Sequence, residues 1–214
     1  MISRWRFLAV AALAVLVPCT APADQAGRGQ RAALGPEEHE ARSLIGRLLV
    51  ATDDVRDPRF RRTVIYMVHH DTTGAMGLVV NRPLGDGPLA DLLERLGRDS
   101  EGVAGTIRVH YGGPVEPGRG FVLHTADWTG SESRAIRGGV ALSTDPAILS
   151  AIADGTGPRR FLFALGYAGW SPGQLEAEIE RGAWITIPAD EALVFDADAG
   201  SKWERAMARR PIDL

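Results

Sequence analysis

The segment from 63 to 80 constrains the fold more than any other part of the sequence. Thr63–Val68 is a run of β-branched, aromatic and other apolar residues, a composition that favours a strand. Asp71–Gly74 has the composition of a turn, and Ala75–Val80 predicts a second strand. The two strands are expected to pair as a hairpin, which places antiparallel structure in the fold.

Other segments alternate irregularly between strand and helix patterns. Strands are predicted at 48–51, 107–111, 120–124, 135–142, 160–165, 184–187 and 192–195. Helices are predicted at 88–96, 145–153, 171–181 and 201–209. Asp145 and Pro146 fit the cap and first turn of the second helix, and Ser171 with Gln174 forms a capping box for the third. This order predicts a mixed α/β (α+β) fold with a mixed sheet and no regular βαβ repeat.

Length and composition fit one globular domain. The chain has 214 residues, 45% of them hydrophobic, and this length can bury a sizeable core without disulfides or a metal. The formal net charge of −3 gives no bulk attraction to nucleic acid or to an anionic membrane. Lys202 is the only lysine, so arginine carries almost all the positive charge, and its abundance alone does not indicate phosphate binding.

The first residues have the pattern of a secretory signal peptide. Arg4 and Arg6 precede an apolar run, Phe7–Val17, which is too short to span a membrane, and Ala21-Pro22-Ala23 offers a cleavage site. We therefore expect a signal peptide at 1–23, a flexible tail at 24–43 and a folded domain at 44–214. Cleavage would remove the only cysteine and change the net charge from −3 to −5. The alternative is a wrongly assigned start codon ahead of a cytoplasmic protein.

One motif resembles a catalytic site. Gly169-Trp170-Ser171-Pro172-Gly173 matches the G-x-S-x-G nucleophile elbow between a strand and a helix. Pro172 has no N–H to donate to an oxyanion, and all the histidines precede Ser171 in the chain. A helix cap explains the same residues, so we assign no catalytic residue.

Metal, cofactor and nucleic-acid motifs are also weak. His69 and His70 point to opposite faces of a strand, and Asp196–Gly200 departs from a calcium loop, with Met207 where a glutamate is required. The prolines of Gly112–Gly120 remove amides that would hold a phosphate, so a tight turn is the main interpretation and a binding loop the alternative. Asp54 and Asp57 are interleaved with the arginines at 56, 59, 61 and 62, which indicates a self-paired surface, with a nucleic-acid patch as the alternative. We expect no cofactor and no bound metal.

Four ordered blocks resemble the YqgE/AlgH family of bacterial proteins. The blocks are Gly46–Ala51 with Asp57–Phe60 and Val64–Tyr66, His70 with Gly74–Pro83, Tyr111–Val115 with Arg119–His124, and Leu165–Trp170 with Gly173–Glu176 and Trp184. The resemblance implies sheets that wrap into a pseudo-barrel with flanking helices. It implies no reaction, and the family's label of transcriptional regulator derives from a genetic association with exopolysaccharide control. Members of the family begin near Leu44 and are regarded as cytoplasmic, so the export signal is a departure.

The polar residues of these blocks are the candidate ligand-binding residues: Asn81, Arg82, Arg119, His124 and Gln174. They stand beside apolar strands or at a helix start, and if they converge they form a small polar pocket for an anion. The alternative is that they make internal hydrogen bonds that lock the loops.

Three functions follow. The leading hypothesis is a non-enzymatic binding or regulatory protein, exported, that contacts an unidentified protein or small ligand. The second is a ligand-binding or hydrolytic pocket near Arg119 and His124. The third is a cytoplasmic transcriptional regulator, although the acidic charge disfavours nucleic acid as a partner. No membrane span is expected after signal cleavage.

Overall fold

Ten strands and five short helices make up the part of the chain that the computed structural model describes, residues 43–210. The strands are β1 (Arg47–Ala51), β2 (Val64–Asp71), β3 (Gly74–Val79), β4 (Pro83–Pro88), β5 (Thr106–Tyr111), β6 (Val115–Thr125), β7 (Ser133–Ala135), β8 (Val140–Ser143), β9 (Phe161–Trp170) and β10 (Trp184–Pro188). The helices are α1 (Leu89–Arg95), α2 (Ala147–Ala153), α3 (Gln174–Glu180), α4 (Glu191–Val194) and α5 (Lys202–Met207). The signal peptide predicted at 1–23 and the tail predicted at 24–43, apart from Ser43, lie outside the described residues.

The strands form one curled sheet in the order β10-β1-β2-β3-β9-β6-β8-β7, with β4 paired to β5 and β5 paired to β9. Every pairing is antiparallel except that of β5 with β9, so the sheet is mixed, as the sequence predicts. The predicted hairpin is β2–β3, with Tyr66 opposite Leu78. The described chain is a single α+β domain whose sheet curls into a half-barrel, and this confirms the predicted fold class.

Strand β9 joins the two halves of the sheet. Its last residues pair with β3, whereas its earlier residues pair with β5 on one side and β6 on the other. Where β9 changes partners, its backbone meets the turn between β5 and β6 at very short range. A Cβ atom on Gly113 would lie 2.0 Å from the carbonyl carbon of Tyr167, and one on Gly112 would lie 2.2 Å from the oxygen of Gly166. We call this contact of 112–113 with 166–167 the glycine crossing; it accounts for Gly112, Gly113 and Gly166 in two of the family blocks.

Apolar side chains fill both faces of the sheet. Along β2 they alternate, so that Tyr66 belongs to one cluster while Ile65 and Met67 belong to another. The helices cover these faces: α4 and α5 pack on the first cluster, and Leu175 of α3 packs on the second. A third cluster joins α1 and α2 to strands β5, β6 and β9. Burial on both faces explains why the sequence of β2 is continuously apolar.

Three elements differ from the sequence prediction. The strand predicted at 192–195 is helix α4, which begins where the Asp190 side chain accepts the N–H of Leu193 at 2.7 Å. The strand predicted at 135–142 is two strands, because Gly138 and Gly139 at φ 64° and 75° make a turn between β7 and β8. Strand β4, rich in proline and glycine, has no sequence signal of its own.

The predicted helix starts are close to those observed. Asp145 accepts the N–H of Ala147 at 2.8 Å, which confirms its capping role before α2. Helix α3 begins at Gln174, three residues later than predicted, after Gly173 at φ 74°. Half of the predicted capping box forms, because the Gln174 side chain accepts the N–H of Ser171 at 3.1 Å. None of the helices within 43–210 has the length and apolar composition needed to cross a bilayer.

Candidate functional site

Two of the five candidate ligand-binding residues line one hollow. It lies where the turn before β2, the end of β3 and the start of α5 meet, and its volume is about 220 Å³. We call it the arginine hollow, and its lining residues are Arg61, Arg62, Asn81, Arg82, Ala199, Gly200, Trp203 and Glu204.

Asn81 positions the turn before β2 that lines the arginine hollow. Its Oδ1 accepts the N–H of Val64 at 2.9 Å, and its Nδ2 donates to the carbonyl oxygen of Arg62 at 2.9 Å. Between these contacts Arg62 has φ 55°, in the left-handed region that a non-glycine residue seldom adopts. Such a conformation persists only where neighbouring contacts fix it, and it is more frequent at ligand sites than elsewhere. The only asparagine of the chain therefore supports a strained turn.

The arginine hollow carries an excess of positive charge. The Arg82 guanidinium donates to the carbonyl oxygen of Arg61 at 2.6 Å, an uncharged partner. The Arg61 side chain makes no hydrogen bond or ion pair with any residue in 43–210. Arg62 pairs with Glu204 at 2.7 Å. Three guanidinium groups thus line the hollow with a single carboxylate. The sequence predicts that two of these arginines, Arg61 and Arg62, are paired with nearby acids.

Trp203 and Glu204 reach the hollow from the other end of the chain. The guanidinium carbon of Arg62 lies 4.4 Å from the centre of the Trp203 ring, a cation–π geometry. The indole N–H of Trp203 donates to the carbonyl oxygen of Ala51 at 2.8 Å, which fixes the ring against β1. Sequence reasoning missed both residues, because no spacing relates α5 to a turn about 140 residues earlier.

Lys202 is buried directly beneath this region. Its Nζ donates to the carbonyl oxygens of Val80 and Val194, each at 2.8 Å, and its side chain has no exposed surface. Burial lowers the pKa of Lys202 from 10.5 to about 8, because the charged amine loses contact with water. The amine ties the end of β3, next to Asn81, to the end of α4. The only lysine of the chain lies in a helix with apolar neighbours, and this was the sequence signal that could have indicated a buried amine joining two elements.

Arg119 and His124 do not face one another. Both belong to β6, but the Arg119 guanidinium pairs with Glu116 at 3.0 Å and lies 5.2 Å from the ring of Phe121. His124 lies edge-on to Trp128 on the opposite face of the strand, with 5.7 Å between the ring centres. Neither side chain lines the arginine hollow. The second hypothesis requires a pocket lined by both Arg119 and His124, and the structure does not bring these two side chains together.

His124 makes a buried hydrogen-bond network. Its Nδ1 lies 2.8 Å from the carbonyl oxygen of Thr125, and its Nε2 lies 2.9 Å from the hydroxyl of Ser143. A donated Nδ1–H would leave Nε2 free to accept the serine hydroxyl, the arrangement of a general base. Burial lowers the pKa of His124, so the neutral ring is favoured. Both side chains are almost fully enclosed, which leaves a substrate no direct access.

Gln174 has a structural environment of its own. Its Nε2 donates to Glu178 at 2.9 Å, and the other oxygen of Glu178 accepts the indole N–H groups of Trp170 and Trp184 at 3.0 and 2.8 Å. These contacts fasten α3 to the sheet. All five predicted residues thus make internal hydrogen bonds or ion pairs, and their role toward a ligand stays a prediction. Within 43–210 no three histidine, cysteine or acidic side chains are grouped to hold a metal.

Comparison with known proteins supports the family resemblance of the four sequence blocks. The sequence profile of the AlgH-like family matches residues 48–214. The chain belongs to the AlgH-like family. A UPF0301 protein of Rhodospirillum rubrum is 44% identical over 177 residues, covering 83% of this chain and 92% of that protein. A UPF0301 protein of Methylococcus capsulatus is 46% identical over 179 residues, covering 84% and 97%.

A solved structure of the AlgH-like family shows the same fold. The solution structure of AlgH from Pseudomonas aeruginosa superposes with a TM-score of 0.67 at 43% identity, covering 79% of this chain and 89% of AlgH. The resemblance found in the four blocks is therefore confirmed as family membership. Family membership alone does not define the molecular activity.

Proposed function

We propose that this AlgH-like protein is a non-enzymatic binding protein and that the arginine hollow holds the negatively charged group of a small ligand. One observation supports this most directly: Arg61, Arg62 and Arg82 line the hollow, and Glu204 is the only acidic residue among its lining residues. Guanidinium groups bind phosphate and carboxylate oxygens through paired hydrogen bonds, so a site of this composition favours an anion.

The size of the arginine hollow limits what it encloses. About 220 Å³ is less than the range of roughly 300–1,000 Å³ typical of pockets for drug-sized ligands. The hollow fits a phosphate or carboxylate group, with the rest of the molecule outside. Asn81 and the strained Arg62 support this role, because they fix the turn that carries two of the three guanidinium groups.

Calorimetric titration with inorganic phosphate tests the proposal. Arg61→Gln removes the guanidinium that has no partner within the described residues, and we expect it to weaken phosphate binding about tenfold, equivalent to about 1.4 kcal/mol. Arg95→Gln removes the same charge from an exposed position on α1 and should leave the affinity unchanged. Absence of binding by the unmodified protein, or equal weakening by both substitutions, would rule the proposal out.

The proposed location is outside the cytoplasm. It rests on the charged start, the apolar run and the cleavage motif of residues 4–23. Fractionation of cells that carry the full chain with a C-terminal tag, followed by N-terminal sequencing, tests it. We expect a mature form that begins at Asp24. An intact chain in the cytoplasm would contradict export and would leave the cytoplasmic regulator as the stronger hypothesis.

A further inference from the structure

A second, larger hollow lies on the other side of the segment 196–200. Its volume is about 550 Å³, and it is lined by Arg159, Arg160, Phe161, Ala192, Phe195, Asp196 and Ala197. We call it the aromatic hollow. We propose that it binds a small planar aromatic molecule that carries one negative group, and this inference does not depend on the function proposed for the arginine hollow.

Two phenyl rings give the aromatic hollow its apolar part. Phe161 begins β9 and Phe195 follows α4, so their backbones belong to different elements of the fold. Each ring is half-buried, and they pack on different core clusters, the third for Phe161 and the first for Phe195. Their remaining surface is the kind that an aromatic ligand covers by stacking or edge contact.

Arg160 is the charged residue of the aromatic hollow whose charge is not compensated by a neighbouring group of the described chain. The Arg160 side chain has no hydrogen-bond or ion-pair partner in the described part of the chain. Arg159 is already paired with Glu191 at 3.0 Å. Asp196 is paired with Arg205 at 2.6 Å and accepts the N–H of Asp198 at 2.8 Å, so its carboxylate is compensated. Arg160 is therefore the cation that remains for a ligand's negative group.

Ring surface and guanidinium together define the ligand class. A volume of about 550 Å³ lies within the range of small-molecule pockets, which combine an apolar lining with a few polar groups that orient the ligand. A purely apolar ligand would leave Arg160 unpaired, and an inorganic anion would leave the phenyl rings uncovered. An aromatic phosphate or carboxylate satisfies both.

The two hollows are separate sites. The segment from 196 to 200 contributes Asp196 and Ala197 to the aromatic hollow, and Ala199 and Gly200 to the arginine hollow. A test in the Arg61→Gln protein therefore measures the aromatic hollow with the anion site of the arginine hollow weakened. Failure of one proposal can then be distinguished from failure of the other.

The test is a titration of the full-length Arg61→Gln protein with phenyl phosphate, inorganic phosphate and benzyl alcohol, followed by NMR chemical shifts. We expect phenyl phosphate to bind at least tenfold more tightly than either of the other two. Adding Arg160→Gln should weaken phenyl phosphate binding about tenfold, and adding Phe195→Leu should weaken it several-fold. Adding Arg95→Gln, which removes an equal charge elsewhere, should change nothing.

Three outcomes would overturn the inference: phenyl phosphate binding no more tightly than inorganic phosphate, equal affinity after Arg160→Gln, or the same loss after Arg95→Gln. Arg160 is exposed, so its substitution leaves the folded core intact and keeps the test valid even if Phe195→Leu destabilises the protein.

Discussion

The glycine crossing and the arginine hollow both contain residues of the family blocks, but they are built in opposite ways. At the crossing, backbones are in contact and the polar groups are paired, as when the N–H of Gly112 donates to the carbonyl oxygen of Leu165 at 2.8 Å. In the hollow, Arg62 has a strained backbone and the Arg61 guanidinium has no partner within 43–210. The paired polar groups of the crossing thus serve the fold, whereas the Arg61 guanidinium of the hollow remains available to a ligand.

The largest expected effect is at the crossing. Gly113→Ala places a methyl group 2.0 Å from the backbone of Tyr167 at a position with φ 153°, so β9 and the turn must separate. We expect a loss of at least ~4 kcal/mol in the free energy of unfolding, or no folded protein. Urea denaturation followed by circular dichroism measures it. Gly118→Ala, in open space, should change the stability by less than about 0.5 kcal/mol, and equal effects of the two changes would contradict the close contact.

The next effect concerns His110, which is buried on β5 opposite Pro83. Burial lowers the pKa of His110 from 6.5 to about 4. The unfolded chain therefore takes up a proton at higher pH than the folded chain, and stability falls as the pH drops from about 6.5 to about 4. The loss assigned to this residue is at most ~3 kcal/mol.

Urea denaturation at several pH values, in the unmodified protein and in His110→Gln, isolates this contribution. The difference in stability between the two proteins should shrink or reverse toward pH 4, because glutamine does not titrate. Parallel pH profiles would show that the environment of His110 is wetter than the structure indicates.

A moderate effect is expected where α3 meets the sheet. Glu178→Ala leaves the indole N–H groups of Trp170 and Trp184 without their acceptor, and we expect a loss of about 2 kcal/mol. Glu180→Ala, an exposed position two residues later on the same helix, is the matched control and should cost less than about 0.5 kcal/mol. Thermal unfolding with tryptophan fluorescence separates the two. Equal losses would mean that helix propensity, and not the indole contacts, matters here.

The smallest effect is expected inside the arginine hollow. Glu204 is an internal competitor for Arg62, so Glu204→Gln should strengthen phosphate binding about threefold while changing stability by less than about 0.5 kcal/mol. Calorimetry at low ionic strength measures the first quantity and urea denaturation the second. Weaker binding after this substitution would show that Glu204 orients Arg62 for the ligand and does not compete with it.

The sequence predicts the local parts of this fold well and its long-range parts less well. The β2–β3 hairpin can be predicted from its own composition. The apolar residues of α4, in contrast, have the composition of a strand, and they form a helix because the Asp190 side chain caps it. Asn81 and Arg82 are recognisable as polar residues after a buried strand. Their partners Trp203 and Glu204 are not, because α5 joins the hollow only through tertiary packing.

The position of Lys202 has a practical consequence for work with this protein. Apart from the amino terminus, it is the only primary amine of the chain, and it is fully enclosed. Amine-reactive dyes, cross-linkers and resins should therefore attach at one end of the folded polypeptide and give a uniformly oriented product. Acylation of Lys202, followed by mass spectrometry, would in turn report how often the terminal helix detaches.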